Sequence, residues 1–130
     1  MVETAAAIGY RSAASPMPSI RPVLIVGTGD HAQLAAAVRS RGLGPMLAAD
    51  VEQAIRLLRN FRVDVVICMG MAMEAVRKIS ERAPTVVVGD SEPDAWNAGA
   101  AGFAATGSAI VAVPELAYRV ARGERGIRIA

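Results

Sequence analysis

Cysteine and aromatic residues are scarce in this chain of 130 residues, and both shortages limit what it can be. Its single cysteine, Cys68, has no partner for a disulfide within the chain and no neighbouring cysteine or histidine to form a metal site. Aromatic residues make up 4% of the sequence, so the core must be built from small and branched aliphatic side chains. A reducing compartment fits this composition, and we predict a cytoplasmic protein.

Long apolar runs and a strong net charge are also missing. No run reaches the roughly 18 residues that a membrane span needs, and residues 1–20 have no long apolar block after a basic start, as a secretion signal would. The net charge of +2 forms no basic stripe typical of nucleic-acid binding. Hydrophobic residues, in contrast, make up 53% of the chain, which suits helices packed closely over a parallel sheet.

Apolar strands alternate with amphipathic helices from Pro22 onward. Val23–Val26 is predicted to be a buried strand that runs through Gly27 into a helix. The further strands are predicted at residues 45–49, 63–69, 84–89 and 102–106. This alternation predicts an α/β fold with a single doubly wound, five-stranded parallel sheet in the order 2-1-3-4-5.

Three helices are predicted to begin at a capping residue. Asp30 precedes the first helix and Gln33 follows three residues later, which is the spacing of a capping box. Asp50 and Gln53 repeat this spacing at the second helix, and Ser91 is the predicted N-cap of a short fourth helix. Capping accounts for both aspartates without a ligand.

Three stretches follow one another in the order and spacing of a known family. They are residues 48–58, 63–67 and 98–103. From Arg21 to Gly123 the chain resembles the receiver domain of bacterial response regulators, and residues 120–124 are similar to the receiver end in the LuxR/NarL type. The resemblance implies a flavodoxin-like domain at residues 21–123, with a disordered leader at residues 1–20. Residues 124–130 are expected to be a tail or the start of a linker to a DNA-binding output domain that this chain does not include.

The resemblance also implies where phosphoryl chemistry would take place. Receivers accept a phosphoryl group on an aspartate that ends the third strand, and two acids after the first strand hold Mg²⁺. A hydroxyl after the fourth strand and a lysine after the fifth bind the phosphate. Here the acidic pair falls on Gly27 and Thr28, the acceptor on Met69, the hydroxyl on Gly89 and the lysine on Thr106. We therefore predict a pseudo-receiver without aspartyl-phosphate chemistry, metal or cofactor.

Several other residues bear on this prediction. The nearest acids left for a cation are Asp30 and Asp90, and Phe103 falls where receivers carry a switch aromatic. The methionines that follow the third strand are interpreted as core residues or as an adaptable binding surface; they are Met69, Met71 and Met73.

The predicted function is a regulatory module that is not an enzyme and acts through protein contacts or dimerisation. The first and last helices are candidate interfaces, and Ile110, Val111 and Val113 would expose apolar surface there if they are not buried. DNA would be contacted only through an output domain. We expect no membrane contact, and a small ligand remains an option.

A nucleotide site is the alternative. The run Gly27-Thr28-Gly29-Asp30-His31-Ala32 fits G-x-G-x-x-G/A between a strand and a helix, and Asp50 follows about twenty residues later. Such a loop holds a pyrophosphate on backbone N–H groups while the acid binds ribose hydroxyls. The opening also resembles the nucleotide-sugar-binding domain of sugar O-acyltransferases. Ala32 in place of the third glycine weakens the match, and His31 is the one candidate acid or base at this loop.

Overall fold

The computed structural model describes residues 21–29, 31–107 and 112–129. The strands in these residues are β1 (Arg21–Gly27), β2 (Leu43–Ala48), β3 (Val65–Met69), β4 (Thr85–Gly89), β5 (Gly102–Ala105) and β6 (Ile127–Ile129). The helices are α1 (His31–Ser40), α2 (Val51–Asn60), α3 (Met73–Ser80), α4 (Glu92–Asn97) and α5 (Ala112–Ala121). All neighbouring strands are parallel, in the order β2-β1-β3-β4-β5-β6.

Both faces of the sheet are covered, so the strands have near-continuous apolar sequences. Val23 and Ile25 of β1 face a core shared with α1 and α5. Leu24 and Val26 alternate with them and face a second core beneath α2, α3 and α4. All four of these side chains are fully buried. The predicted doubly wound parallel sheet and its order through the fifth strand are therefore confirmed.

The prediction of five strands was wrong, because the structure has a sixth. Ile127–Ile129 pairs with β5, within residues that the sequence analysis assigned to a tail. The Gly126 N–H donates to the Ala101 carbonyl at 2.7 Å and leads the chain onto the sheet. Two isoleucines that flank Arg128 are too short a pattern to predict a strand, but both pack against the α1 and α5 core.

The capping predictions have different outcomes. Asp50 Oδ1 accepts a hydrogen bond from the Gln53 N–H at 2.8 Å, and Gln53 Oε1 accepts one from the Ala49 N–H at 2.8 Å. Ser91 is the N-cap residue of α4, but its side chain makes no capping hydrogen bond, so that prediction was wrong in its mechanism. Asp30, the predicted cap of α1, lies outside the described residues.

Some predictions concern residues that the structure does not describe. The leader at residues 1–20 and the apolar pair Ile110 and Val111 belong to this group. Val113, the third residue of that apolar set, is buried against the sheet. No helix within the described ranges is long and apolar enough to cross a membrane.

Candidate functional site

A cavity of about 510 Å³ opens at the edge of the sheet where the strands end, which we call the carboxyl edge. It lies beyond β1, β3, β4 and β5, beside the point where β2 and β3 occupy opposite sides of β1. Open α/β sheets bind ligands at such a switch point. The lining residues are Thr28, Gly29, Leu34, Met69, Gly70, Met71, Met73, Val88, Gly89, Asp90, Ser91, Asp94, Thr106 and Val113.

Four of the five positions to which the receiver resemblance assigns phosphoryl chemistry meet at this cavity, and Gly27 is not among its lining residues. Thr28, Met69, Gly89 and Thr106 all line it. The Thr28 N–H donates to the Met69 carbonyl at 2.9 Å, and the Thr106 N–H donates to the Gly89 carbonyl at 2.9 Å. Parallel pairing thus joins the end of β1 to the end of β3, and the end of β4 to that of β5.

Gly27 permits the close approach of β1 to β3. It is paired in register with Met69 and has a φ of 115°, a conformation that residues with a Cβ rarely adopt. A Cβ built on Gly27 would collide with the Met69 carbonyl oxygen and would also meet the Met71 side chain at 2.9 Å. The family's first acidic position is therefore held here by a residue that leaves no room for a side chain.

Apolar and acidic side chains form different parts of the cavity wall. Met69 ends β3, Met73 begins α3, and Met71 lies in the loop between them. Asp90 and Asp94 come from the junction of β4 and α4. No lysine, arginine or histidine is among the described lining residues, so the charged side chains there are all acidic.

Asp94 and Ser91 are site residues that the sequence analysis did not place here. It interpreted Ser91 only as the cap of the fourth helix and assigned no site role to Asp94. Both line the cavity because α4 begins shortly after β4 ends at the carboxyl edge. The run of polar residues after a buried strand was the available signal, since strand ends of a parallel sheet share one edge.

The residues of the predicted nucleotide loop are not all brought together. Thr28 and Gly29 line the cavity, whereas Asp50 is engaged as the cap of α2 and is not a lining residue. His31 begins α1, and its Nε2 is buried without a hydrogen-bond partner in the described part of the chain. It is not a lining residue either. Asp30 lies outside the described residues.

Phe103, at the predicted switch position, lies in the core rather than at the cavity. It is 5% exposed and packs against Trp96 of α4, with ring centroids 6.5 Å apart at 57°. The Trp96 Nε1–H donates to Glu92 Oε2 at 3.0 Å and fixes the indole in place. This aromatic pair holds α4 against β5.

The Cys68 thiol and the placement of possible metal ligands limit the chemistry of the described residues. Burial raises the pKa of the Cys68 thiol to about 12, so it is not a nucleophile near neutral pH. Among the residues that the structure describes, no three His, Cys, Asp or Glu side chains are grouped to hold a metal ion.

Neither a family model nor a curated protein sequence matches this chain. Solved structures do match it. A LuxR-family DNA-binding response regulator from Silicibacter pomeroyi has a TM-score of 0.68 at 19% identity, covering 85% of this chain and 98% of its own. A LuxR-family two-component response regulator from Aurantimonas sp. SI85-9A1 has a TM-score of 0.71 at 22% identity, covering 85% and 90%. A chemotaxis response regulator of Vibrio cholerae has a TM-score of 0.62 at 17% identity, covering 80% and 98%.

The strand order and these structural matches agree with the resemblance seen in the sequence. The three matched proteins are response regulators, and each is covered over most of its length. The chain has the flavodoxin-like fold of response-regulator receiver domains.

Proposed function

We propose that this chain is a signalling module of the receiver type that works without phosphorylation. The observation that carries the proposal is Met69 at the end of β3, in register with Gly27 of β1. A thioether cannot form the acyl phosphate that an aspartate forms, because it has no carboxylate oxygen. The position is suited to packing and hydrophobic contact instead.

The charges around Met69 support the same proposal. Mg²⁺ prefers several oxygen ligands in near-octahedral geometry. Gly27 and Thr28 supply no carboxylate after β1, and the described carboxylates at the cavity, Asp90 and Asp94, stand on the β4 side. Thr106 offers no positive charge to a phosphate. An incoming phosphoryl group would meet two negative charges with no described lysine or arginine to offset them.

A binding measurement tests this proposal at the pocket. Beryllofluoride with Mg²⁺ mimics a phosphoryl group on an aspartate, and a ligand that binds only the folded state raises the melting temperature. We expect no change in the melting temperature of this protein, while a phosphorylatable receiver in the same buffer is stabilised. Saturable stabilisation that requires both Mg²⁺ and beryllofluoride would contradict the proposal.

A module that is not switched by phosphorylation must act through contacts that it makes constitutively or with a ligand. We include self-association in the proposal, as receivers commonly act through paired copies. Static light scattering over a hundredfold range of protein concentration tests it. A mass that rises from one chain to two supports self-association, and a constant single-chain mass removes it from the proposal.

Nucleotide binding is a second candidate, favoured by Thr28 and Gly29 at the cavity wall. Its acid is not supplied by Asp50, which caps α2. Titration with NAD and with nucleotide sugars, followed by melting temperature, tests this candidate. Stabilisation that Gly29→Val abolishes would support it, and an unchanged melting temperature for the wild-type protein would reject it.

A further inference from the structure

We propose that the cavity at the carboxyl edge binds a small organic cation with an apolar body, of the aryl-alkyl amine class. This inference rests on the proposed function, because a pocket that takes no phosphoryl group and no Mg²⁺ is free for another ligand. It names the ligand class that the proposed function leaves open.

The size and the walls of the cavity fit an organic molecule. Its volume of about 510 Å³ falls within the roughly 300–1,000 Å³ of small-molecule sites, which are mostly apolar with a few polar groups. Met69, Met71 and Met73 supply flexible, polarisable surface, and Val88 and Val113 supply rigid aliphatic surface. Methionine surfaces adapt to ligands of different shape.

The acidic residues that line the cavity favour a ligand with a positive charge. Asp90 and Asp94 both line it, and neither carboxylate forms an ion pair or hydrogen bond within the described part of the chain. Glu92 lies between them in sequence but is already engaged by Trp96 Nε1 at 3.0 Å and by Arg128 at 3.6 Å. Both aspartates are exposed at the rim of the cavity. Two carboxylates without a partner among the described residues, beside apolar walls, attract a cation and repel an anion.

Hydroxyl groups complete the site. Thr28, Ser91 and Thr106 line the cavity, and their hydroxyls make no hydrogen bond with other described residues. Each can accept a hydrogen bond from an ammonium group. Thr106 stands where the receiver pattern has a lysine, whose single ammonium group would offset one of the two negative charges. The ligand's cation takes the place of that missing charge.

Three probes of nearly equal size separate charge from hydrophobic contact. They are phenethylamine, phenethyl alcohol and phenylacetate, each titrated into the full chain by isothermal calorimetry at low salt. We expect the amine to bind at least about tenfold more tightly than the alcohol, which corresponds to about 1.4 kcal/mol. We expect phenylacetate to bind most weakly, and added salt to reduce only the advantage of the amine.

Variants assign the preference to the two carboxylates. The pair Asp90→Asn and Asp94→Asn removes both charges with little change in shape, and should cost the amine about tenfold or more while leaving the alcohol unchanged. The pair Glu52→Gln and Glu81→Gln is the matched control, since neither residue lines the cavity. Thr106→Lys should weaken the preference for the amine by supplying an internal ammonium group that offsets one of the two negative charges.

Three results would overturn the proposal: equal binding of amine and alcohol, tighter binding of phenylacetate, or no binding of any probe. Loss of amine binding in the Glu52 and Glu81 control pair would also overturn it, because the charge effect would then not belong to the cavity. Failure of the proposed function is a separate result, because it would be observed as phosphorylation of the chain, independently of whether the amine binds.

Discussion

At the scale of single residues, Gly27 shows how a position in the sequence pattern sets the geometry of the site. Its φ of 115° and its pairing with Met69 bring β1 and β3 together at the point where the family places an acidic side chain. The sequence analysis identified this position from the family spacing. It could not show that the main chain there excludes any side chain.

Gly27→Ala should destabilise the protein by about 3 kcal/mol or more, because the left-handed conformation and the collision with the Met69 carbonyl both oppose a Cβ. Gly42→Ala is the matched control, since Gly42 has a φ of 87° but no atom within 4 Å of the added Cβ. It should cost about 1 kcal/mol. Urea unfolding of both variants measures the difference, and equal costs would show that the collision is absent.

Burial of the Cys68 thiol should make the free energy of unfolding decrease at alkaline pH. Burial raises the pKa of its thiol to about 12 from an ordinary value of 9.0, so the thiol ionises in the unfolded chain first. The stabilising contribution is complete below pH 9 and is lost as the pH rises towards 12. Over that window the wild-type protein should lose free energy of unfolding faster than Cys68→Ala. Urea unfolding at several pH values measures both slopes, and parallel slopes would contradict the assignment.

At the scale of elements, the start of α2 was predictable and the start of α4 was not. Asp50 accepts a hydrogen bond from the Gln53 N–H at 2.8 Å, as the spacing in the sequence indicated, whereas the Gln53 side chain accepts from the N–H of Ala49, one residue before the cap, rather than from Asp50. Ser91 has the same capping chemistry available, but its hydroxyl lies at the cavity and makes no cap bond. Spacing alone cannot distinguish the two, because the outcome depends on where the preceding strand delivers the chain.

Asp50→Ala should lower the free energy of unfolding by about 1 kcal/mol, since it leaves an N–H group of α2 without its partner. Ser91→Ala, at an N-cap without a side-chain hydrogen bond, should lower it by less than about 0.5 kcal/mol. Thermal and urea unfolding of the two variants provide the comparison. A larger loss for Ser91→Ala would mean that its hydroxyl has a structural partner.

Strands of four or more apolar residues were found from sequence, whereas the three-residue β6 was missed. Val23–Val26 and Val65–Met69 are long enough to indicate burial on both faces. Ile127 and Ile129 can be recognised as strand residues only when their packing beside β5 and α5 is known. The acidic wall of the cavity was predicted only in part for the same reason: Asp90 was named from its place after the fourth strand, whereas Asp94 reaches the same cavity as Met69 only through the fold.

At the scale of the whole molecule, the helices separate the charges. All five run antiparallel to the strands, so their first turns lie at the carboxyl edge and their last turns at the opposite edge. Every helix except α1 has an acidic residue in its first turn, and every helix except α4 has a basic residue in its last turn, which stabilises the helix dipoles. The acidic residues are Glu52, Glu74, Glu92, Asp94 and Glu115, and the basic residues are Arg39, Arg59, Arg77, Lys78 and Arg119. Glu115 and Glu92 are paired with Arg41 and Arg128, so the negative charge at the cavity comes from Asp90 and Asp94.

This separation bears on phosphoryl transfer. A phosphorylatable receiver must offset negative charge at the same edge with a lysine and a bound cation. Here Thr106 stands where the resemblance places the lysine, and the charged residues among the described lining of the cavity, Asp90 and Asp94, are both acidic. The acidic residues at the cavity and the identity of residue 69 thus lead to the same expectation.

Incubation with acetyl phosphate and Mg²⁺, followed by intact-mass measurement, tests the central claim most directly. A phosphorylatable receiver in the same tube confirms that the reagent is active. The account predicts that the mass of this chain is unchanged while the control gains one phosphoryl group. A gain of one phosphoryl group on this chain that hydroxylamine removes, as expected of an acyl phosphate, would contradict it.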